Sequence, residues 1–188
     1  NECAIKLARK YSFDKYGKDS KRWNIITLVN SFHGRTMATL SATGQDVFHN
    51  YFFPFTQGFD YVDANDIQQL KNAVTDKTCA VLFEVIQGEG GVMPLCKEFV
   101  KAAADIAKKE DILLIIDEVQ TGNGRTGKLY SYMNYGIMPD IITTAKGLGG
   151  GLPIGATMLG EKVQNIFTPG THGSTFGGTP LACATALA

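Results

Sequence analysis

Ile112-Leu113-Leu114-Ile115-Ile116-Asp117 and Ile141-Ile142-Thr143-Thr144-Ala145-Lys146 are two apolar runs, each closed by a single charged residue. Short continuous apolar runs bounded by breakers read as fully buried parallel strands, and open α/β sheets bind ligands beyond the carboxyl ends of such strands. The pattern therefore sends an acid and an amine to one edge of a sheet. Taken alone, the two residues are explained more simply by an ordinary ion pair at that edge. The residues around the lysine argue for more.

Lys146 is followed by Gly147-Leu148-Gly149-Gly150-Gly151-Leu152-Pro153-Ile154-Gly155. Glycines let the backbone turn sharply and let a bulky group approach, so a pocket beside the amine is expected. A nucleophilic lysine must lose its proton, and its free pKa of about 10.4 falls on burial or near a cation. An apolar, glycine-lined setting is expected to supply that burial. An aspartate facing the same cavity would hold a cationic ring nitrogen, the partner that a pyridoxal phosphate ring needs to act as an electron sink.

Outward from these runs the chain alternates. Ile25 to Val29, Ala80 to Ile86, Ile112 to Ile116, Ile141 to Ala145 and Ile154 to Leu159 read as strands. Asp66 to Ala73 and Phe99 to Lys109 read as helices, the second turning Phe99, Ala102, Ala103, Ile106 and Ala107 inward. Leu129 to Tyr135 reads as a short helix or loop. Strands alternating with helices imply an α/β fold, a three-layer αβα arrangement on a mostly parallel sheet. The chain opens at Asn1 without methionine, with Ala4, Ile5, Ala8 and Tyr11 already at helical spacing, and closes in a small-residue helix begun by Pro180. Such ends read as those of an interior piece of a longer protein.

Composition bounds the function. The 188 residues suffice for one domain on the rough scale of 100–200 residues each. Lysine plus arginine and aspartate plus glutamate both total 18, so no basic field for nucleic acid exists. Cys3, Cys79, Cys96 and Cys183 lack paired metal spacing and read as reduced thiols of a cytoplasmic protein, with no metal site implied. No apolar stretch approaches the roughly 20 residues that cross a bilayer, and no signal peptide opens the chain.

Gly122, Gly124 and Gly127 match the spacing of the dinucleotide fingerprint, which would make this an NAD-binding oxidoreductase. The context fails, because five residues separate the strand from the first glycine and the next strand closes on Lys146 instead of an acid. Other segments suit a pyridoxal phosphate site. Phe32 is able to lie flat on a ring and Arg35 to grip a carboxylate with its planar fork. Gln87-Gly88-Glu89-Gly90-Gly91 adds a second carboxylate near the rim. Thr171 to Gly178 offers hydroxyls and free amides suited to a phosphate.

Together these segments resemble the class III, fold type I pyridoxal phosphate aminotransferases, and within them the acetylornithine branch. The likeness spans the chain: Ser31-Phe32-His33-Gly34-Arg35-Thr36, Leu40-Ser41-Ala42-Thr43-Gly44, Ile86-Gln87-Gly88-Glu89-Gly90-Gly91, Asp117-Glu118-Val119-Gln120-Thr121-Gly122, Gly124-Arg125-Thr126-Gly127, Ala145-Lys146-Gly147-Leu148 and Pro169 to Gly178. Ornithine, succinylornithine and 4-aminobutyrate aminotransferases share much of this pattern.

The resemblance implies that residues 1–188 are the central part of the cofactor-binding large domain, with an N-terminal segment and a C-terminal small domain lying outside it. It implies that Lys146 bonds pyridoxal 5'-phosphate and shuttles the proton, and that Asp117 holds the ring nitrogen. Gln120 would bond the ring hydroxyl, and Val119 and Phe32 would sandwich the ring. Thr175 would reach the phosphate in a neighbouring subunit, so a homodimer is implied. Arg35 would bind the substrate α-carboxylate, and Glu89 would mask a further arginine that lies beyond Ala188 until 2-oxoglutarate binds. The implied reaction moves the terminal amino group of N-acetylornithine to 2-oxoglutarate, a step of arginine biosynthesis. Val85 departs from the family's usual proline and Thr179 from its usual asparagine; neither touches the implied chemistry.

Overall fold

Alternation within each central strand decides the layering. In the computed structural model, which describes residues 1–188, the elements run α1 (Glu2–Tyr16), β1 (Asn24–Leu28), α2 (Met37–Ala42), β2 (Phe59–Val62), α3 (Ile67–Ala73), β3 (Thr78–Phe83), β4 (Ile86–Gln87), β5 (Met93–Pro94), α4 (Lys97–Lys109), β6 (Leu113–Asp117), β7 (Ile141–Thr144), β8 (Ala156–Leu159) and α5 (Pro180–Leu187). Ile25, Ala80, Leu82, Leu113 and Ile115 pack with Ile5, Leu7, Ala8 and Tyr11 of α1 on one face. Ile26, Val81, Phe83, Leu114 and Ile116 pack with Leu70 of α3 and with Phe99, Val100 and Ala103 of α4 on the other. Successive residues of a strand point to opposite faces, so strands apolar at every position need helices on both sides. The three-layer αβα arrangement follows.

The main sheet has the order β2-β1-β3-β6-β7-β8. Every neighbouring pair is parallel except β7 and β8, which run antiparallel. All residues of β3 and β6 are buried. The Phe83 and Phe99 rings meet edge to face with centroids 6.1 Å apart, tying α4 to β3. Phe99→Ala at this fully buried contact would cost about 3–5 kcal/mol.

Several boundaries differ from the sequence reading. The strand expected over 80–86 stops at Phe83, because Glu84 breaks the apolar run; Ile86 instead pairs with Pro94 in a separate two-stranded ribbon. Val100 is buried on α4, whereas Ala102 and Ile106 are only half covered, so the inward stripe is rotated from the expected one. Residues 129–135 hold one 3-10 turn, Ser131–Asn134. Two elements had no strong signal. β2 is an edge strand with three of its four residues incompletely buried, and α2 is six residues long. No helix is long and apolar enough to cross a membrane.

Candidate active site

Strand register brings the two marked charges to one edge. Asp117, the last residue of β6, pairs with Thr143 of β7. β7 ends at Thr144, and Lys146 opens the 3-10 turn Lys146–Gly149 just beyond it. Both side chains line one cavity of about 100 Å³, together with Phe32, Val119, Gln120 and Glu89. No ion pair joins Asp117 to Lys146. The Lys146 amine instead donates to Gln120 Oε1. The simple ion-pair explanation of these two residues is therefore not what the fold contains.

Lys146 departs from expectation in one respect. It is exposed, and Asn123, Arg125, Gln120 and Gly122 border a second cavity of about 360 Å³ that it shares. The burial expected from the apolar flanks is absent, because those flanks turn outward after β7 and leave polar groups around the amine. The lysine backbone has φ +46°, in the left-handed region that a residue with a Cβ rarely adopts. Such conformations persist where the surrounding structure over-determines them, often at functional sites.

Asp117 is 3% exposed, and no lysine or arginine bonds it. Its Oδ2 accepts from Asn1 Nδ2 at 2.7 Å and pairs with His33 Nδ1 at 2.8 Å. Its Oδ1 accepts from the Val119 N–H at 3.0 Å, and Thr143 Oγ1 lies 3.3 Å from it. Burial by itself would raise the Asp117 pKa. The His33 bond and charge, the Val119 N–H and the Asn1 amide outweigh it and hold the carboxyl below its ordinary value. The strand end is thus occupied by a desolvated anion.

Two further groups in the cavity carried no role in the sequence reading. Glu84, 5% exposed just past β3, accepts from the Phe32 N–H at 3.0 Å. Burial pushes its pKa up to about 7; the charge of His33 opposes that rise and the charge of Asp117 adds to it. His33 is 3% exposed, and its Nε2 is buried without a hydrogen-bond partner. Buried polar atoms are nearly always paired, so an orphan in a cavity wall needs an explanation.

The other expected residues divide. Phe32 is half-buried in the cavity wall, its ring edge-on to Phe48 at 5.5 Å. Arg35 is exposed at the rim, its guanidinium 5.2 Å from the centre of the Phe48 ring, and it does not line the cavity. Glu89 accepts from Gln45 Nε2 at 2.5 Å. Its loop lies so close to the segment after β1 that a Cβ on Gly90 would come within 2.4 Å of the Asn30 carbonyl oxygen. Thr175 is exposed in the 171–178 loop and lines neither cavity. Gly122, Gly124 and Gly127 lie in a run of turns after β6 with no helix following, so the dinucleotide context is absent.

This donor set fits a flat heteroaromatic ring with a positively charged nitrogen. A buried anion and an amine both line the cavity. Phe32 and Val119 offer apolar surface, and the amide of Gln120 is within reach of the lysine. Pyridoxal phosphate has that chemistry.

The whole chain, residues 1–188, matches the aminotransferase class-III family. It is 57% identical over 188 residues to the acetylornithine aminotransferase of Caldanaerobacter subterraneus subsp. tengcongensis, covering 100% of this chain and 47% of that protein. The acetylornithine aminotransferase of Haemophilus ducreyi is 55% identical over 189 residues, covering 100% and 48%. Among solved structures, the ornithine aminotransferase of Toxoplasma gondii, crystallised with partial occupancy of PLP at its active site, superimposes with a TM-score of 0.93. It is 39% identical, covering 99% of this chain and 44% of that one. The chain thus spans about half the length of the curated relatives it matches. The chain belongs to the class-III aminotransferases.

Proposed function

We propose that these residues are the central part of the cofactor-binding large domain of a pyridoxal phosphate-dependent aminotransferase, one that moves the terminal amino group of N-acetylornithine to 2-oxoglutarate. The observation that carries this reading is the pairing of a desolvated, ionised Asp117 with Lys146 on one cavity, at the carboxyl ends of adjacent parallel strands. The relatives named acetylornithine aminotransferase support the choice of substrate.

Pyridoxal phosphate, when bound, supplies an electron sink that stabilises negative charge on the carbon bearing the amine. Asp117 would hold the ring nitrogen protonated, since a buried anion favours a cation beside it. Phe32 and Val119 cover the two ring faces. Gln120, already bonded to Lys146, presents its amide nitrogen to the ring hydroxyl. Lys146 would hold the cofactor through Nζ and, when its amine is free, would move the substrate proton as general base and then general acid. Arg35 at the rim binds the substrate α-carboxylate, which points the far amine inward. Glu89 screens an arginine outside residues 1–188 until the second substrate arrives. Thr175, exposed and not lining the cavity, would serve a neighbouring subunit of a homodimer. The donor would leave as the aldehyde, its amino group having passed to 2-oxoglutarate to give glutamate. The setting is arginine biosynthesis in the cytoplasm.

Full-length protein tests this directly. It is expected to take up pyridoxal phosphate with a visible absorption band that Lys146→Ala removes along with measurable turnover; an unchanged band in that variant would exclude the assigned lysine. Assays with N-acetylornithine, succinylornithine, ornithine and 4-aminobutyrate separate the substrates. Fastest turnover of unacylated ornithine would move the enzyme to the ornithine branch.

A further inference from the structure

Asn1 occupies the N-cap position of α1, and asparagine is among the residues whose side chain most often caps a helix. This side chain makes no capping hydrogen bond. Its Nδ2 donates instead to Asp117 Oδ2 and to the His33 carbonyl oxygen, both at 2.7 Å. Its Oδ1 accepts from Thr143 Oγ1 at 2.7 Å. One amide therefore ties the start of α1 to the end of β6, to the segment after β1 and to β7. Thr143 Oγ1 lies 3.3 Å from Asp117 Oδ1, but its single proton goes to the nearer Asn1 Oδ1, so the amide holds the carboxylate through Oδ2 and is itself held by Thr143.

We propose that Asn1 is a positioning residue: its neutral amide fixes the Asp117 carboxylate in orientation and in its ionised form, at the edge where a cationic ring nitrogen is held. The inference rests on the pyridoxal phosphate reading of the cavity. An amide suits the task because it donates to an anion without cancelling its charge. An aspartate of the same size would set a second carboxylate against Asp117 and remove the donor. A lysine would neutralise the site before any ligand arrived. The titratable groups facing Asp117 are His33 from the segment after β1 and Glu84 from the end of β3. Glu89 from the β4–β5 turn and Lys146 after β7 share its cavity. All of them stay in place in the variants below.

The test uses full-length protein carrying Asn1→Asp, Asn1→Ala or Asn1→Ser, with two readouts that do not depend on turnover. The first is the pyridoxal phosphate dissociation constant from pH 5 to 8. Asn1→Asp is expected to weaken binding at least tenfold at pH 7 and to move the pH below which cofactor is lost upward by at least one unit. Asn1→Ser restores a capping side chain too short to bridge the site, and it is expected to bind no better than Asn1→Ala. Wild-type affinity in the serine variant, or an unmoved pH midpoint in the aspartate variant, would reduce Asn1 to a helix cap and overturn the proposal. The second readout is a double-mutant cycle in the apoprotein. The loss of Tm from Asn1→Asp is expected to fall by at least half in an Asp117→Asn background, and additive losses would overturn the proposal. If wild-type protein takes up no pyridoxal phosphate, the functional reading fails and the apoprotein cycle alone decides the role of Asn1.

Discussion

β6 has an aspartate at each end, and the two are held in opposite ways. Asp111, just before the strand, has a side chain 41% exposed and bonds Lys15, Tyr16 and, at 3.3 Å, Lys162. The slight burial there acts to raise its pKa, but hydrogen bonds from Lys15, Tyr16 and Lys162 hold the carboxyl well below the usual range. Asp117, at the far end, is buried among an amide, an imidazole, a hydroxyl and a backbone N–H. Both carboxylates are ionised, yet the first is offset by lysines at the solvent-exposed surface and the second, buried, has no lysine or arginine bonded to offset its charge. Coulomb attraction toward a ligand depends on that remainder, and it is stronger away from solvent. Only one end of the strand is prepared for a charged guest.

The largest effect expected from this contrast is catalytic. In full-length enzyme, Asp117→Asn should lower kcat/KM for the amine donor on the order of a thousandfold, whereas Asp111→Asn should leave it within about twofold. Equal losses would erase the distinction between the two ends. Glu84 sharpens it, because it is a second acid in the dry region that lacks enough partners to stay charged. Its folded pKa of about 7 exceeds the ordinary 4.5, so the stability linked to its neutral form is complete below pH 4.5 and lost as pH rises through about 7. In apoprotein, Glu84→Gln is therefore expected to match wild type near pH 4.5 and to exceed it at pH 8 by up to about 3 kcal/mol in urea unfolding. A pH-independent difference would show that burial does not govern this acid.

Smaller effects come from strain and from the exposed pairs. Lys146→Gly relieves the left-handed backbone and is expected to raise apoprotein stability by up to about 1 kcal/mol while abolishing turnover. A loss of stability would mean that the lysine contacts outweigh the strain. Asp111→Asn should cost less than about 1 kcal/mol, and the difference should fade in high salt, as solvent-exposed pairs are screened. A cost that persists in high salt would place Asp111 among the buried anions after all.

Much of this arrangement was legible in the chain because each strand advertises itself locally. Ile112 to Asp117 and Ile141 to Lys146 mark both the strands and the edge where they end, and the glycines after Lys146 mark the turn. What local reading missed depends on contacts across the fold. β2 escaped because Asp60 and Tyr61 leave an edge strand without a continuous apolar run. Glu84 gave no signal, since a carboxylate after an apolar strand looks like any solvated turn until the β1 segment covers it. Asn1 reads as a helix cap, and nothing adjacent to it announces a bond to a residue 116 positions away.

The sequence by itself determined the layers, the mostly parallel sense of the sheet and the identity of the acid and the amine, because period and turn chemistry are properties of neighbouring residues. Only the tertiary structure decided which groups surround Asp117, that Lys146 stays exposed beside Gln120, and that Arg35 and Thr175 stand outside the cavity. Hydrogen-bond partnership and desolvation arise when distant segments close on one another, and neither is written in any short stretch of the chain.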